Sequence, residues 1–209
     1  MSHATRSEPR LMSRQDQRTA ASRQALLDAA VQVLEDVGYH DATISLIVRA
    51  ARRARGTFYV HFSSKEEIYG ALLTEMRHRL RQASRAVWDS ERPLASLHKS
   101  IDLYVQSFSV DRALWLVLDG SSAVSEQYER ERSALRAALT TDIRKGMVSA
   151  GNTHLTDLDP DLVSTILAAM LEETCATFLL YGDELSPDMI TDHMTTLWGR
   201  VLDYEPAVN

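Results

Sequence analysis

Three observations on the 209-residue sequence predict an all-α chain. Apolar residues recur at i, i+3, i+4 and i+7 in one segment after another, the period of a helix with one buried face. No segment of useful length alternates apolar and polar residues as a half-buried strand does. The breaks between segments carry helix punctuation: a capping side chain or Ser/Asp-Pro at the start, glycine at the end.

Residues 1–19 are polar, with Arg6, Arg10, Arg14 and Arg18 spaced by four. In a helix they would share one basic stripe. Extended, they could enter a minor groove as an arm; terminal polar segments are also commonly disordered. The expectation is a basic tail, disordered alone and able to meet phosphate. A first helix is predicted over 22–37, with Leu26, Leu27, Ala30, Val33, Leu34 and Val37 inward and Gly38 ending it. Thr43 caps a second helix whose Ile44, Ile47, Val48 and Ala51 share a face. In the next, Phe58 and Phe62 lie four apart and point inward. Gly56 within that helix costs about 1 kcal/mol against alanine, a cost justified where backbone must approach a phosphate strand closely.

Ser63 with Glu66, or Ser64 with Glu67, stands at capping-box spacing for a fourth helix. Its N-terminus suits a phosphate, and Lys65 adds charge there. That helix carries Ile68, Leu72, Met76, Leu80 and Val87 and links the front of the chain to the rest. Pro93 opens a fifth helix, with Leu97, Ile101, Tyr104, Val105 and Phe108 on one face. Residues 113–118 are apolar all round, as in a buried helix. A seventh helix from about Ser125 carries Leu135, Leu139, Ile143 and Met147 and closes at Gly151. After a polar loop, Asp159-Pro160 opens an eighth helix that runs to Tyr181. Ser186-Pro187 opens a ninth, with Ile190, Met194, Leu197, Trp198 and Val201 on its apolar face. The expected division is a tail over 1–19, a DNA-binding domain over 20–80 with its helix-turn-helix at 43–62, and a rear domain over 81–209.

The helix-turn-helix window is rich in arginine, and a small helix pair with a basic turn fits the major groove of DNA. The residues Leu27-Asp28-Ala29-Ala30, Gly38-Tyr39, Ala42-Thr43, Gly56-Thr57-Phe58-Tyr59, His61-Phe62 and Ser64-Lys65-Glu66 resemble the DNA-binding domain of the TetR (tetracycline repressor) family. The resemblance covers Arg23 to about Leu73. It implies that Thr43, Arg55, Gly56, Thr57, Tyr59, His61 and Lys65 meet DNA, most of them at backbone phosphates. The chain departs from the family in the turn, where Ala51-Arg52-Arg53-Ala54 stands in place of the usual Ala-Gly-Val-Ser. Arg52 replaces a glycine that often has positive φ, which is costly for a residue with a Cβ. Ala54 replaces a capping serine, a loss of roughly 0.5–2 kcal/mol. Phosphate contact by Arg52 or Arg53 is the expected compensation.

The net charge of −6 hides a division: residues 1–65 carry 10 Lys/Arg against 6 Asp/Glu, and residues 66–209 carry 13 against 23. A basic front and acidic rear orient such a molecule on DNA. No apolar run approaches the roughly 18–20 residues of a membrane helix, and no apolar stretch follows the arginine-rich start as in a secretory signal. A single cysteine forms no internal disulfide and fits a reducing, cytoplasmic setting. Cys175 lies in an apolar helical stretch, where cysteine is normally core. No phosphate-binding glycine loop, serine elbow or paired-histidine metal motif marks an enzyme. His154 near Asp157, Asp159 and Asp161 is the one cluster that could bind a divalent ion, and it reads better as a solvated loop and helix start. No cofactor is expected.

For the rear domain, the resemblance implies a homodimer through the last two helices and a small-molecule pocket between the middle ones. The apolar stripes put Ile166, Met170, Met194 and Trp198 at the expected interface. Candidate pocket residues are Tyr104, Phe108, Trp115, Met147, Met170, Glu173, Thr174 and Phe178, suggesting an elongated hydrophobic effector. The reading is a ligand-responsive repressor on a palindromic operator; the alternatives are an activator or a metal-responsive regulator on the same fold, and last an all-α enzyme.

Overall fold

A computed structural model of the chain describes residues 13–87, 89, 91–120, 126–149, 158–182 and 185–203, the side chains of 84–87, 120 and 149 excepted. Arg6, Arg10, Val87, Ser125, Gly151, His154 and Asp157 of the sequence reading lie outside the described residues or side chains. Among the described residues the structure is nine α-helices and no strand: α1 Arg14–Asp41, α2 Ile44–Ala50, α3 Arg55–His61, α4 Lys65–Val87, α5 Pro93–Val110, α6 Arg112–Gly120, α7 Glu126–Ser149, α8 Pro160–Cys175 and α9 Pro187–Val201. A π turn, Ala176–Leu180, extends α8.

Helix α1 begins earlier than its apolar pattern suggests. Ser13 Oγ accepts from the Asp16 N–H at 3.1 Å, and the Asp16 carboxylate accepts from the Ser13 N–H at 3.1 Å. This capping box starts the helix inside the expected tail, so Arg14 and Arg18 are helical. At the far end Gly38 takes φ 74°, a conformation glycine adopts without steric cost, and breaks the helical span. The first unit, Met1–Ile68, closes around Leu26, Leu27, Ala30, Ile47, Phe58 and Phe62, all buried. The Phe58 and Phe62 rings sit 5.8 Å apart, and the Arg23 guanidinium lies 5.2 Å from the centre of the Phe62 ring.

The turn between α2 and α3 resolves the departure at Arg52. Arg53 N–H donates to the Val48 carbonyl at 2.9 Å, and Arg52 N–H donates to the Arg49 carbonyl at 3.2 Å. With Ala51 as C-cap these are the two bonds of a Schellman motif. That motif requires a left-handed residue after the cap, and Arg52 supplies it at φ 51°. The backbone geometry is therefore the one a glycine would give, held by an arginine at a cost of about 1–2 kcal/mol.

The second unit is Tyr69–Asn209. The division between the two units falls inside α4, after Ile68. Thr74 Oγ1 donates to Glu131 of α7 at 2.8 Å and Arg77 Nε to the same carboxylate at 2.9 Å. These bonds tie the later turns of α4 to the second unit. Within it α5 packs along α9, and α7 along α8. Phe108 and Trp115 stack 3.9 Å apart, with Tyr104 at the edge of the pair. Trp115 Nε1 donates to Ser107 Oγ at 3.3 Å, so this buried indole keeps a partner.

One expectation from the sequence needs correction. Pro160–Leu180 forms a 21-residue helical stretch in which an 18-residue window has mean hydropathy 1.5, long and apolar enough to cross a membrane by those measures alone. Its charged residues are what conceal the run by eye. One of them, Glu172, is paired in a two-point bond with Arg136, and the inner face, with Leu167, Ala168 and Leu171, is buried within the unit.

Replacing Arg52 with glycine removes the Cβ from a left-handed residue. Urea unfolding is expected to show Arg52→Gly more stable than wild type by about 1 kcal/mol. Equal or lower stability would mean that the turn relieves the strain elsewhere.

Candidate nucleic-acid interface

Phe58 fixes how α3 is turned. Because it is buried, the opposite side of this seven-residue helix faces outward. Arg55, Gly56, Tyr59 and Val60 are exposed there, and Thr57 and His61 are half-buried on the flank. Arg52 and Arg53 are exposed in the turn, and Thr43 at the start of α2. No Asp or Glu occurs between Asp41 and Glu66, so Arg49, Arg52, Arg53, Arg55 and Lys65 form a segment of one sign.

Several of these side chains are already oriented. The Arg55 guanidinium donates to Ser45 Oγ and to the Tyr59 hydroxyl, each at 3.3 Å, and lies 5.9 Å from the Tyr59 ring centre. This links α2 to α3 across their outer surface and limits the rotamers of both long side chains. Thr43 Oγ1 accepts from the Leu46 N–H at 3.2 Å, the cap its position predicts. Its own hydroxyl proton remains available to a phosphate. Lys65 is less free: its ammonium donates to the Tyr39 carbonyl at 2.9 Å and sits 4.2 Å from the Tyr39 ring centre. Two of its three donors remain. Ala54 gives α3 no side-chain cap, as its identity implies.

The start of α4 mixes the two capping registers. Ser64 Oγ accepts from the Glu67 N–H at 3.2 Å, while the Glu67 carboxylate reaches back to Ser63, accepting from its N–H at 2.6 Å and its hydroxyl at 2.5 Å. Those bonds from Ser63, side chain first and backbone second, hold the Glu67 carboxyl below its ordinary value.

Sequence reasoning missed Ser45 and Arg49, which are exposed on the outer side of α2. Their signal was present, since they are i and i+4 on the face away from Ile47.

In the second unit the expected pocket residues separate. A cavity of about 320 Å³ takes Tyr104, together with Leu97, Ile101, Leu139, Leu171 and Trp198. A second, of about 430 Å³, is lined by Phe108, Trp115 and Glu173, with Arg132, Arg136 and Glu172. Met147, Met170, Thr174 and Phe178 line neither. Met147 is packed into the core, and the Thr174 hydroxyl donates back to the Met170 carbonyl at 2.7 Å. Glu173 is exposed, so it carries no buried charge. The unforeseen polar group is Arg136 on Glu172, both bonds 2.8 Å, with Arg132 at 3.6 Å from the same carboxylate.

Two expected interface residues also move. Met194 and Trp198 are 8 % and 1 % exposed, covered by their own unit. Periodicity identifies the apolar face of a helix but not what covers it. The outward apolar residues are Leu162 and Ile166 on α8, 59 % and 55 % exposed, with Met189, Leu197 and Val201 on α9. Cys175 is buried, and burial followed by the Glu172 charge pushes its thiol up to about 12, far from a nucleophile at neutral pH. Asp159 caps α8, accepting from the Asp161 and Leu162 N–H groups at 2.8 and 3.3 Å. Among the described residues no group of three potential metal ligands forms.

A basic helix-turn-helix unit joined to a separate helical unit defines a DNA-binding transcriptional regulator. Residues 26–72 match the family of bacterial regulatory proteins known as the tetR family. The chain is 26 % identical over 167 residues to the uncharacterized HTH-type transcriptional regulator YdgC of Bacillus subtilis, covering 77 % of this chain and 83 % of that one. It is 25 % identical over 168 residues to the fatty acid metabolism regulator protein of the same organism, covering 74 % and 82 %. It is 26 % identical over 168 residues to the HTH-type transcriptional repressor AcnR of Corynebacterium glutamicum, covering 72 % and 78 %. In fold it is similar to a TetR-like transcriptional regulator from Rhodococcus sp. RHA1, with TM-score 0.68 and 23 % identity over 88 % of this chain and 97 % of that chain. Residues 26–72 thus carry a DNA-binding domain similar to that of the tetR family, and the protein is a DNA-binding transcriptional regulator.

Gly56 has no heavy atom of its own chain within 4 Å of where a Cβ would stand, and its φ is not positive. Gly56→Ala is therefore expected to stabilise the protein by about 1 kcal/mol while weakening DNA binding, read by thermal unfolding and by gel shift. Unchanged affinity would remove close backbone approach as the reason for glycine.

The Glu67 carboxyl titrates lower in the folded protein than in the unfolded one, so its contribution is present above the unfolded value of about 4.5 and is lost as pH falls through the folded value. Stability of wild type relative to Glu67→Gln is expected to be greater at pH 7 and to converge with it below that range. A difference that persists at the lowest pH would assign the effect to packing.

Proposed function

We propose that the protein is a ligand-responsive repressor that binds a palindromic operator as a homodimer in the cytoplasm. The observation that carries this reading is the pairing of an exposed, single-signed arginine surface on α2–α3 with a separate helical unit that has both an apolar cavity and an outward apolar face. Thr43, Arg52, Arg53, Arg55, Thr57, Tyr59, His61 and Lys65 position the duplex, and Gly56 admits it closely. Two copies joined through α8 and α9 present two α3 helices, which suit half-sites one helical turn, about 34–36 Å, apart. Leu162, Ile166, Met189, Leu197 and Val201 are the residues the partner covers. Catalysis has no part in this reading.

The effector is a small hydrophobic molecule seated in the cavity of Leu97, Ile101, Leu139 and Leu171. The name of the Bacillus fatty acid metabolism regulator accords with that chemistry. Ligand and DNA favour different arrangements of the rear unit, coupled along α4 by about 1–3 kcal/mol, and each weakens the other's binding by the same factor. Repression is favoured over activation by the family and by the repressor among its relatives.

The test is to select genomic fragments with the purified protein and to determine its mass in solution by light scattering. Two-fold symmetric sites and a dimer are expected, and Ile166→Glu is expected to give a folded monomer with operator affinity lowered at least tenfold. A wild-type monomer at micromolar concentration, or no preference over random competitor DNA, would overturn the proposal.

A further inference from the structure

We infer that Val60 is a specificity-determining residue that reads the C5-methyl group of a thymine in the major groove. The inference rests on α3 being the helix that enters the groove. At 3.6 residues per turn, Val60 lies about 160° around α3 from the buried Phe58. Gly56 lies about 160° away in the other sense, so the two flank the outermost line of the helix. Arg55 and Tyr59 run along one side of that line, Thr57 and His61 along the other. A helix laid in a groove presents its outermost line to base edges and its flanks to the phosphate walls. The residues assigned to DNA from the sequence are therefore mostly wall residues. The floor is left to Gly56, which has no side chain, and to Val60.

Val60 is 74 % exposed, so its side chain contributes little to the core of its own unit. Valine is a poorer helix former than alanine, so helix stability does not select it either. Isolated apolar residues are common on surfaces, and Val110 is one here. Val60 differs by its place: opposite the core contact, beside an unobstructed glycine, in a segment with four arginines and no acid. A branched aliphatic side chain has no hydrogen bond to offer a base edge. The apolar group exposed in the major groove is the methyl of thymine.

The experiment uses the full-length protein and a randomised duplex pool. Wild type is expected to select thymine at one position of each half-site, and Val60→Ala to lose the preference there while keeping it elsewhere. Deoxyuridine in place of that thymine deletes only the methyl. It is expected to weaken wild type about fourfold, the effect of burying one methyl group, and to leave Val60→Ala unchanged. Val60→Asn is expected to move the preference at that position towards adenine, which asparagine pairs through two hydrogen bonds. Thermal unfolding of each variant checks that the fold is kept, as the exposure of Val60 implies. Selection by Val60→Ala identical to wild type, with the same loss on deoxyuridine, overturns the assignment of Val60 and leaves the DNA-binding reading standing. No selection by wild type overturns both.

Discussion

The insertion of Phe58 into the core of the first unit is the contact on which the nucleic-acid surface depends. A helix of seven residues does not hold itself together in water. It persists because one aromatic ring is fully buried beneath it, with Phe62 following at its end. That anchoring sets the rotation of α3, and rotation decides which of its side chains face the solvent. The hydrogen bonds of Arg55 to Ser45 and Tyr59 act after that choice and refine it.

Much of this unit was legible from the order of residues, because its signals are local. Thr43 three residues before an N–H that needs an acceptor, Phe58 and Phe62 four apart, and an arginine where left-handed backbone is required are each read within one turn. The start of α1 was not legible from apolar spacing, since the Ser13–Asp16 capping box is built entirely from polar residues. The polar tie between α4 and α7 was not legible for a different reason. Glu131 is more than fifty positions from Thr74 and Arg77, and nothing in α4 announces that partner.

The second unit shows where periodic reading ends. The stripes of α8 and α9 were correctly identified as apolar, yet Met194 and Trp198 face inward while Ile166 and Leu197 face outward. Hydrophobicity alone does not separate a side chain covered by its own subunit from one left for another molecule. The same holds for the pocket. Tyr104 and Trp115 belong to one aromatic cluster but line different cavities, and the Arg136–Glu172 bond beside the second is a pairing across two helices.

The π turn after Cys175 carries a consequence of its own. Tyr181 N–H reaches back five residues to the Ala176 carbonyl at 3.3 Å, and Arg112 caps the end by donating to the Leu180 carbonyl at 2.7 Å. One surplus residue in that turn rotates everything beyond it by about 100° relative to an uninterrupted helix. The rotation sets where Tyr181 stands when its hydroxyl meets Asp119. A shortening of the chain by a single residue between 176 and 180 would restore the regular pitch and swing Tyr181 off α6.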